Sequence, residues 1–425
     1  MLEVYFEDYR VGTVTPGTDG PAFNYARHWE QLRGAFPVSL TMPLGESAVE
    51  PGLFGRWAAN LLPEAAQLAA IGRHLGVAPG DVVGLLAQIG RDTAGALSFG
   101  GPGTTSPAEW RPIESDSDLE RIIDELPMKP FLAGEEGVSM SLAGVQSKIA
   151  VALDSSGALF IPLNGAPSTH ILKPDSDRLW GSVENEAYCL CLARLCGLAV
   201  PDFSIGRAGR RSYLLVERYD RRRVGERWRR LHQEDFCQAL AKPPAAKYER
   251  SSSGVPGITL TDMLQLAKAH LGARDVLALL DLAIFNILAC NTDAHAKNYS
   301  VLIHPAGASL APAYDIMCAE PYDGITRNLA QTIAGKNRGD HLKRRHWRRL
   351  FKGAGLGVRA SLERVSSLAE RVQRQAAAAR EAIAALPGAA PEMPERCAAS
   401  VDARARAILA GLADDSGSDE DLAAG

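Results

Sequence analysis

The sequence lacks a hydrophobic run long enough to cross a membrane. No window of the 425 residues approaches the roughly 20 apolar residues that a membrane-spanning helix needs. The first residues, MLEVYFEDYRVG, also lack the basic and apolar regions of a secretory signal. With 46% hydrophobic residues the chain still has ample material for a core. These features predict a globular, cytoplasmic protein with no membrane partner.

Cysteine is scarce, and neither sign of charge dominates. The seven cysteines are an odd number, which argues against a disulfide framework. Cys189, Cys191 and Cys196 share one apolar helical segment without the spacing of a zinc site, so we expect buried free thiols. A net charge of −4 does not favour autonomous nucleic-acid binding. Local basic clusters, expected to be solvated faces, lie at residues 221–223, 229–230 and 343–349.

The sequence contains neither GxGxxG nor GxxxxGK[ST], the two glycine-rich phosphate-binding motifs. A loop of small residues, VSMSLAGVQSK, does precede a strand-like run, and it includes Ser139, Ser141, Ala143 and Gly144. Small residues let backbone N–H groups approach phosphates. An ordinary hairpin turn explains the same pattern, and the residues alone favour the turn.

The segment NTDAHAKNYSV, residues 291–301, has the arrangement that phosphoryl transfer needs. Four residues separate Asp293 from Asn298, and Asp315 follows after an apolar run and a short turn. In kinases one carboxylate accepts the hydrogen bond of the attacking hydroxyl, while an amide oxygen and a second carboxylate hold Mg²⁺. Mg²⁺ prefers hard oxygen ligands, so Asn298 and Asp315 suit it better than His or Cys would. The competing interpretation is that Asp, Asn and His are common in any polar loop.

The flanking segments favour the phosphoryl-transfer interpretation. Residues 275–290 are apolar at helical spacing, and the β-type run YSVLI follows the loop. The sequence therefore predicts that this loop lies where a buried helix is followed by a strand.

Lys173 lies near the end of an apolar strand-like run, THILKPD. A lysine there is either a solubilising charge on an edge strand or a group that reaches the α- and β-phosphates of a nucleotide. The residues alone favour the edge strand. A helix-like segment with Glu184 and Glu186 in its first turn follows, which is the order of the kinase Lys–Glu pair. Acidic residues favour any helix N-terminus, so the lysine is the stronger signal.

Other stretches give coarser expectations. Residues 53–76 have helical period, SLTMPLG at 39–45 is expected to be a strand, and PGAAPEMPE at 387–395 reads as a linker before one more helix. SYLLVERYDR reads as a strand that ends in a chain crossing. In a nucleotide kinase this crossing is the hinge, where Glu217 and Tyr219 would flank the adenine.

Seven segments of the chain occur in the order found in HipA-type serine/threonine kinases, the toxins of bacterial toxin–antitoxin and persistence modules. They are SLAGVQSKIAVAL, THILKPD, ENEAYCLCLARLCGL, LLVERYDR, LHQEDFCQALAKPPAAKYE, NTDAHAKNYSV and LAPAYDIMCAEPY. The chain resembles this family from residue 1 to about residue 375, including the family's small N-terminal subdomain.

The resemblance implies a role for each candidate residue. Asp293 would be the catalytic base, with Asn298 and Asp315 as Mg²⁺ ligands. His295 is expected to orient the loop, or to contact the substrate or phosphate, without binding metal. Ser141 would be the autophosphorylated serine, whose modification ejects the loop from the ATP site and silences the enzyme. The implied nucleotide contacts, besides the two metal ligands, are Ala143, Gly144, Val145, Gln146, Lys148, Lys173, Glu217 and Tyr219.

Two departures from kinase patterns stand out. Asp315 is followed by Ile316 and Met317 with no Phe-Gly, so ordinary kinase in/out switching is not assumed. Residues 324–340 lie where many relatives carry a small-residue signature, and here the segment is made more polar by Gln331, Thr332 and Lys336.

The implied fold is α+β and protein-kinase-like, with two lobes. The N-lobe is mixed α/β and carries the extra N-terminal subdomain, and the C-lobe is mostly helical. The expected divisions are the N-terminal subdomain at 1–100, the N-lobe with phosphate-binding loop and hinge at 101–225, the C-lobe with catalytic loop at 226–386, and a linker, short helix and acidic tail at 387–425.

The expected function is an ATP- and Mg²⁺-dependent protein serine/threonine kinase that acts as a growth-arresting toxin. The resemblance implies a translation factor as substrate, such as an aminoacyl-tRNA synthetase. It implies a HipB-like helix-turn-helix antitoxin as partner, with operator DNA bound only through that antitoxin. Two alternatives stay open: a catalytically silent corepressor, and a small-molecule kinase, since antibiotic and sugar kinases share the same metal and base arrangement. ATP hydrolysis or autophosphorylation would argue against the silent corepressor. Labelled phosphate on a metabolite, without a labelled protein, would favour the small-molecule kinase.

Overall fold

The structure is a computed structural model. It describes residues 1–17, 20–45, 49–50, 52–101, 108–144, 146–225, 227–251 and 253–414. The predicted nucleotide contact Val145 and the acidic segment 415–425 lie outside the described residues.

The described residues form twelve α-helices and seventeen β-strands. Residues 1–101 form β1 (Leu2–Phe6), β2 (Tyr9–Thr15), β3 (Ala22–Tyr25), α1 (Arg27–Glu30), α2 (Leu53–Ala59), α3 (Ala65–Leu75), α4 (Val82–Ile89) and β4 (Leu97–Phe99). Residues 108–244 form β5 (Glu109–Pro112), α5 (Asp116–Glu125), β6 (Ile149–Leu153), β7 (Leu159–Leu163), β8 (His170–Pro174), α6 (Ser182–Leu195), β9 (Phe203–Ala208), β10 (Arg211–Glu217), β11 (Arg221–Val224), β12 (Arg227–Arg230), β13 (His232–Asp235) and α7 (Phe236–Ala239). The rest form α8 (Leu260–His270), α9 (Ala273–Leu288), β14 (Ser300–His304), β15 (Gly307–Leu310), β16 (Asn328–Ile333), β17 (Lys336–Arg338), α10 (Arg344–Gly353), α11 (Val358–Ala384) and α12 (Glu392–Ala413).

The first compact unit contains most of the strands and comprises Met1–Val183, Pro201–Pro244 and Ser300–Ala311. A four-stranded sheet in the order β3-β2-β1-β4 packs Phe6 of β1 edge-on against Trp29 and Phe36. A six-stranded sheet has the order β5-β7-β6-β8-β10-β9. We call this unit 1.

The second compact unit, unit 2, is mostly helical and comprises Glu184–Val200, Ala245–Tyr299 and Pro312–Gly425. Helix α9 contacts α8, α11 and α12, and every residue from Leu282 to Leu288 is buried. Helix α8 begins at a capping box, in which Thr259 and Asp262 bond to each other's main-chain N–H groups. The predicted helix at 275–290 and the predicted strand after it are confirmed as α9 and β14.

Several expectations about local structure are wrong. Helical period continues through residues 53–76, but the chain forms α2 and α3 with a break at Pro63, which lacks a backbone N–H. Residues 39–45 form no strand, only an isolated bridge between Ser39 and Met42. The linker is shorter than expected, because α12 already begins at Glu392. The domain divisions at 100, 225 and 386 stay predictions. Among the described residues, none of the helices has the length and apolar character for crossing a membrane.

Candidate active site

The loop between α9 and β14 is tied to the end of the helix by Asn291. The main-chain N–H of Asn291 donates to the carbonyl oxygen of Asn286 at 2.8 Å, and its Nδ2 donates to Oδ1 of Asn286 at 2.9 Å. The Oδ1 of Asn291 accepts from the N–H of Asp293 at 3.1 Å. A buried amide thus fixes the backbone at the predicted base.

Asp293 and Asn298 meet within this loop. The main-chain carbonyl oxygen of Asp293 accepts two hydrogen bonds, from Nδ2 of Asn298 at 2.8 Å and from the N–H of His295 at 2.7 Å. Because this hydrogen bond uses the side-chain nitrogen of Asn298, its side-chain oxygen is the atom suited to binding a metal. The side chain of Asp293 is exposed, and Asn298 is half-buried.

The second carboxylate, Asp315, is joined to the same loop. Nδ2 of Asn291 donates to the main-chain carbonyl oxygen of Asp315 at 3.4 Å, and the hydroxyl of Tyr314 donates to the carbonyl oxygen of Lys297 at 2.8 Å. Asp315 has a φ of 53°, in the left-handed region that non-glycine residues rarely adopt. Such strain persists where the surroundings enforce it, and it is concentrated at functional sites.

His295 is a neutral, buried group. Burial, reinforced by the charges of Lys247 and Lys297, lowers its pKa to about 3. Its ring meets that of Tyr248 edge-on, with centroids 5.1 Å apart, and within the described residues its Nδ1 has no hydrogen-bond partner. A neutral imidazole in this place is suited to holding the loop and offers no charge to a phosphate.

The oxygen groups of Asn298 and Asp315 fit Mg²⁺. Both are hard donors, and Mg²⁺ in nucleotide sites takes one or two carboxylates with phosphate and water completing its shell. In the part of the chain that the structure describes, His, Cys, Asp and Glu form no cluster of three or more suited to a metal.

Unit 1 holds the predicted phosphate-binding loop. Lys148 donates from Nζ to the carbonyl oxygen of Ala143 at 2.7 Å. Gly144 has a φ of 112°, a backbone conformation that favours glycine, and a Cβ there would lie 2.6 Å from Nζ of Lys148. The carbonyl oxygen of Gln146 accepts from Gln67 at 3.3 Å. The ammonium group therefore lies directly against the loop backbone.

Lys173 is not on an edge strand. It lies on β8, which runs between β6 and β10, and it pairs with Leu214. Its side chain is buried. The edge-strand interpretation is therefore wrong, because strand order depends on long-range pairing that hydrophobic period does not reveal. A buried ammonium is costly unless its charge is paired and hydrogen-bonded.

The predicted hinge follows β10. The N–H of Glu217 donates to the carbonyl oxygen of Asp202 at 2.8 Å, and that of Arg218 donates to Thr169 at 2.9 Å, so these two donors are engaged within unit 1. Burial, with the nearby charge of Asp202, raises the pKa of Glu217. The half-buried Tyr219 donates its hydroxyl to Oε1 of Gln233.

A buried ion network was missed by sequence reasoning. Asp92 accepts from Arg221 at 2.8 Å and from Arg230 at 3.1 Å, and Asp220 accepts from Arg218 at 2.8 Å. Despite their burial, these arginines hold the pKa values of both carboxyls below their usual range. Burial and the charge of Arg218 lower the pKa of Arg221 to about 10. The expectation of a solvated basic face is wrong for Arg221, whose side chain is wholly buried. The alternating charges of ERYDR, directly after an apolar strand, were the sequence feature that could have indicated this network.

Each unit assembles its own group of predicted residues. Unit 2 contains Asp293, His295, Asn298 and Asp315. Unit 1 contains Ser141, Ala143, Gly144, Gln146, Lys148, Lys173, Glu217 and Tyr219.

An antiparallel sheet carrying a buried lysine, together with a helical unit whose loop joins an aspartate, an asparagine and a second aspartate, defines the α+β protein-kinase-like class. The family model of the HipA-like C-terminal domain matches residues 140–382, and that of the HipA N-terminal domain matches residues 2–100. The chain belongs to the HipA family of serine/threonine kinase toxins. The predictions of family, fold class and enzyme class are confirmed.

Individual relatives agree with this assignment. The chain is 36% identical over 381 residues to a Sinorhizobium fredii protein named "Putative kinase Y4mE". The match covers 87% of this chain and 89% of that protein. It is 33% identical over 348 residues to the serine/threonine-protein kinase toxin HipA of Shewanella oneidensis, with 78% of each chain covered. The structure resembles that of Shewanella oneidensis HipA solved with HipB and its operator DNA, with a TM-score of 0.83 and 28% identity, covering 98% of this chain and 99% of the other.

Proposed function

We propose that this chain is an ATP- and Mg²⁺-dependent protein serine/threonine kinase and the toxin of a type II toxin–antitoxin system. The observation that carries the proposal is the joined pair Asp293 and Asn298, in which the asparagine amide donates to the aspartate carbonyl and Asn291 links both to Asp315. This arrangement supports the proposal, because it links the candidate base and the two candidate metal ligands through one set of hydrogen bonds.

In this proposal Asp293 accepts the proton of the attacking serine or threonine hydroxyl. Asn298 and Asp315 would hold Mg²⁺, which would neutralise charge on the nucleotide phosphates. The exposed position of Asp293 leaves it open to a macromolecular acceptor. The proposed nucleotide contacts are Ala143, Gly144, Val145, Gln146, Lys148 and Lys173 for the phosphates and Glu217 and Tyr219 for the adenine.

The proposal includes self-silencing at Ser141. Phosphorylation there would add about two negative charges to a serine that is fully buried, which is compatible only with a displaced loop. We assign residues 1–100 to the N-terminal subdomain, 101–225 to the N-lobe and 226–386 to the C-lobe.

The proposed substrate is a translation factor, such as an aminoacyl-tRNA synthetase. The proposed partner is a helix-turn-helix antitoxin similar to HipB, supported by the relative that was solved with HipB and operator DNA. Operator DNA would be reached through that antitoxin.

The test is controlled expression in a bacterial host with phosphoproteomics. The wild-type chain is expected to arrest growth and to produce new phosphoserine or phosphothreonine on a translation factor, whereas Asp315→Asn should do neither. Equal arrest by both chains, or arrest without a new phosphoprotein, would contradict the proposal and favour a non-catalytic role. New label on a metabolite alone would indicate a small-molecule kinase.

A further inference from the structure

Tyr248 is the residue before last in the segment LHQEDFCQALAKPPAAKYE, and the proposed function gives it no role. Its phenol hydroxyl donates a 2.5 Å hydrogen bond to Oδ1 of Asp293. A hydrogen bond of this length to a carboxylate is charge-assisted and about twice as strong as one between neutral groups. Tyr248 therefore restrains the side chain proposed as the base.

The main chain before Tyr248 is attached to the catalytic loop. The carbonyl oxygen of Lys247 accepts from the N–H of Ala296 at 3.0 Å and from Nε2 of Gln331 at 2.9 Å. Ala296 lies between His295 and Lys297, in the same loop as Asp293. These hydrogen bonds therefore fix the position of Tyr248 relative to the loop that carries Asp293.

The main chain after Tyr248 is attached to strand β16. The N–H of Glu249 donates to the carbonyl oxygen of Ala330 at 3.0 Å. The carboxylate of Glu249 accepts from the hydroxyl of Thr332 at 2.7 Å and from its main-chain N–H at 2.5 Å. Gln331 and Thr332 are two of the polar residues that depart from the family's small-residue signature, and here they anchor the segment that carries Tyr248.

The ring of Tyr248 is also fixed. It meets the buried ring of His295 edge-on, at 83° between planes, and the ammonium of Lys247 lies 5.1 Å from its centroid. With both backbone and ring held, the direction of the hydroxyl is determined, so the contact to Asp293 is not a chance encounter of two surface groups.

The carboxylate of Asp293 is the group that this contact orients. Its main chain is fixed by Asn291 and Asn298, and the hydroxyl of Tyr248 adds a hydrogen bond to its exposed side chain. Small misplacements of a reacting group cost as much as a hundredfold in rate. We propose that Tyr248 is a positioning residue that holds Oδ1 of Asp293, so that Oδ2 faces the acceptor hydroxyl. This inference rests on the proposed kinase function.

The test compares Tyr248→Phe with the wild-type chain. Phenylalanine keeps the ring contact with His295 and removes only the hydroxyl. Transfer of labelled γ-phosphate is measured from Mg-ATP to a tagged Asp293→Asn copy of the chain, with initial rates over a range of ATP and acceptor concentrations. The expected result is a kcat lower by about 10- to 100-fold. The KM values, the affinity for Mg-ATP and the thermal midpoint should match those of the wild type.

The matched control is Tyr322→Phe. It removes a buried phenol hydroxyl in the same unit, one that accepts from Asn185 at 3.2 Å, and it should transfer at the wild-type rate. A Tyr248→Phe kcat within twofold of wild type would overturn the inference. So would a rate loss matched by a loss of Mg-ATP affinity or of thermal midpoint, which indicates a structural role. If the wild-type chain itself transfers no label, the proposed function fails and the inference falls with it.

Discussion

The hydroxyl of Ser141 donates a 2.8 Å hydrogen bond to the main-chain carbonyl oxygen of Leu61. Ser141 is fully buried there, and its N–H donates to the carbonyl oxygen of Asp92 at 3.0 Å. Phosphorylation would remove the hydroxyl proton and place a dianion against a carbonyl oxygen. The loop position seen here and a phosphorylated Ser141 are therefore incompatible.

Ser141→Asp is expected to release the loop, because burying an unpaired carboxylate is costly. The backbone N–H groups of residues 139–144 should exchange faster with solvent, and the affinity for Mg-ATP should fall at least about tenfold, a change worth about 1.4 kcal/mol. Hydrogen exchange with mass spectrometry and calorimetric titration measure the two effects. Ser117→Asp, at an exposed position in the first turn of α5, is the control and should change neither. Unaltered exchange in Ser141→Asp would contradict the expectation.

Asp92→Asn is expected to destabilise unit 1 by about 3–5 kcal/mol, because it leaves buried arginines without their carboxylate. Urea unfolding followed by tryptophan fluorescence suits this measurement, since five of the six tryptophans lie in unit 1. The control is Glu363→Gln, which breaks a solvent-exposed pair with Arg359 at 3.0 Å and should leave the midpoint unchanged. Equal midpoints for both variants would show that the network carries no net stability.

Lys173→Met is expected to lower kcat/KM for ATP at least about a hundredfold, as loss of a transition-state contact of some 2.7 kcal/mol would. Methionine keeps the aliphatic stem within the sheet and removes the ammonium group, and the thermal midpoint is measured beside kcat/KM to show that the variant is folded. Lys352→Met, on the exposed face of α10, is the control. Normal turnover by Lys173→Met would mean that the buried lysine serves the fold and not the nucleotide.

His232 makes the stability of unit 1 depend on pH. It is buried, and its Nε2 donates to the carbonyl oxygen of Val38 at 2.8 Å. Burial lowers its pKa from 6.5 to about 4. An unfolded histidine takes up a proton below pH 6.5 while the folded one stays neutral, so this stability is lost as pH falls from 6.5 towards 4. Burial raises the pKa of the neighbouring Glu234 from 4.5 to about 7, so its contribution has the opposite sign and fades as pH rises from 4.5 to 7.

His232→Gln separates the two contributions, because it removes only the first. The difference in unfolding free energy between wild type and variant should be largest at pH 7 and should shrink as pH falls to 4.5. Urea midpoints measured at several pH values report this difference. A constant difference across the range would show that His232 is protonated equally in the folded and unfolded states.

The position of the loop that carries Asp293 and Asn298 was predictable because the patterns on either side of it are local. Asp293 and Asn298 are close in sequence, and α9 and β14 have clear periods on either side. Only one further strand and a turn separate Asp315 from β14, so its prediction also rested on nearby sequence. A short motif with a helix before it and a strand after it is sufficient for such a prediction.

The remainder depends on contacts between distant parts of the chain. Asp92 meets Arg221 across 129 positions, and Tyr248 meets Asp293 across 45. The position of Lys173 within the sheet follows from strand order. The helical periodicity of residues 53–76 does not reveal the break at Pro63. Residue patterns encode which faces are buried, but not which distant group a buried charge will meet.

The most direct test of the account is the intact mass of the purified wild-type chain and of Asp293→Asn after incubation with Mg-ATP, followed by peptide mapping. The wild type is expected to gain the mass of one phosphoryl group, located at Ser141, and Asp293→Asn is expected to gain none. No gain in the wild type, or an equal gain in Asp293→Asn, would contradict the assignment of Asp293 as the base of a protein kinase.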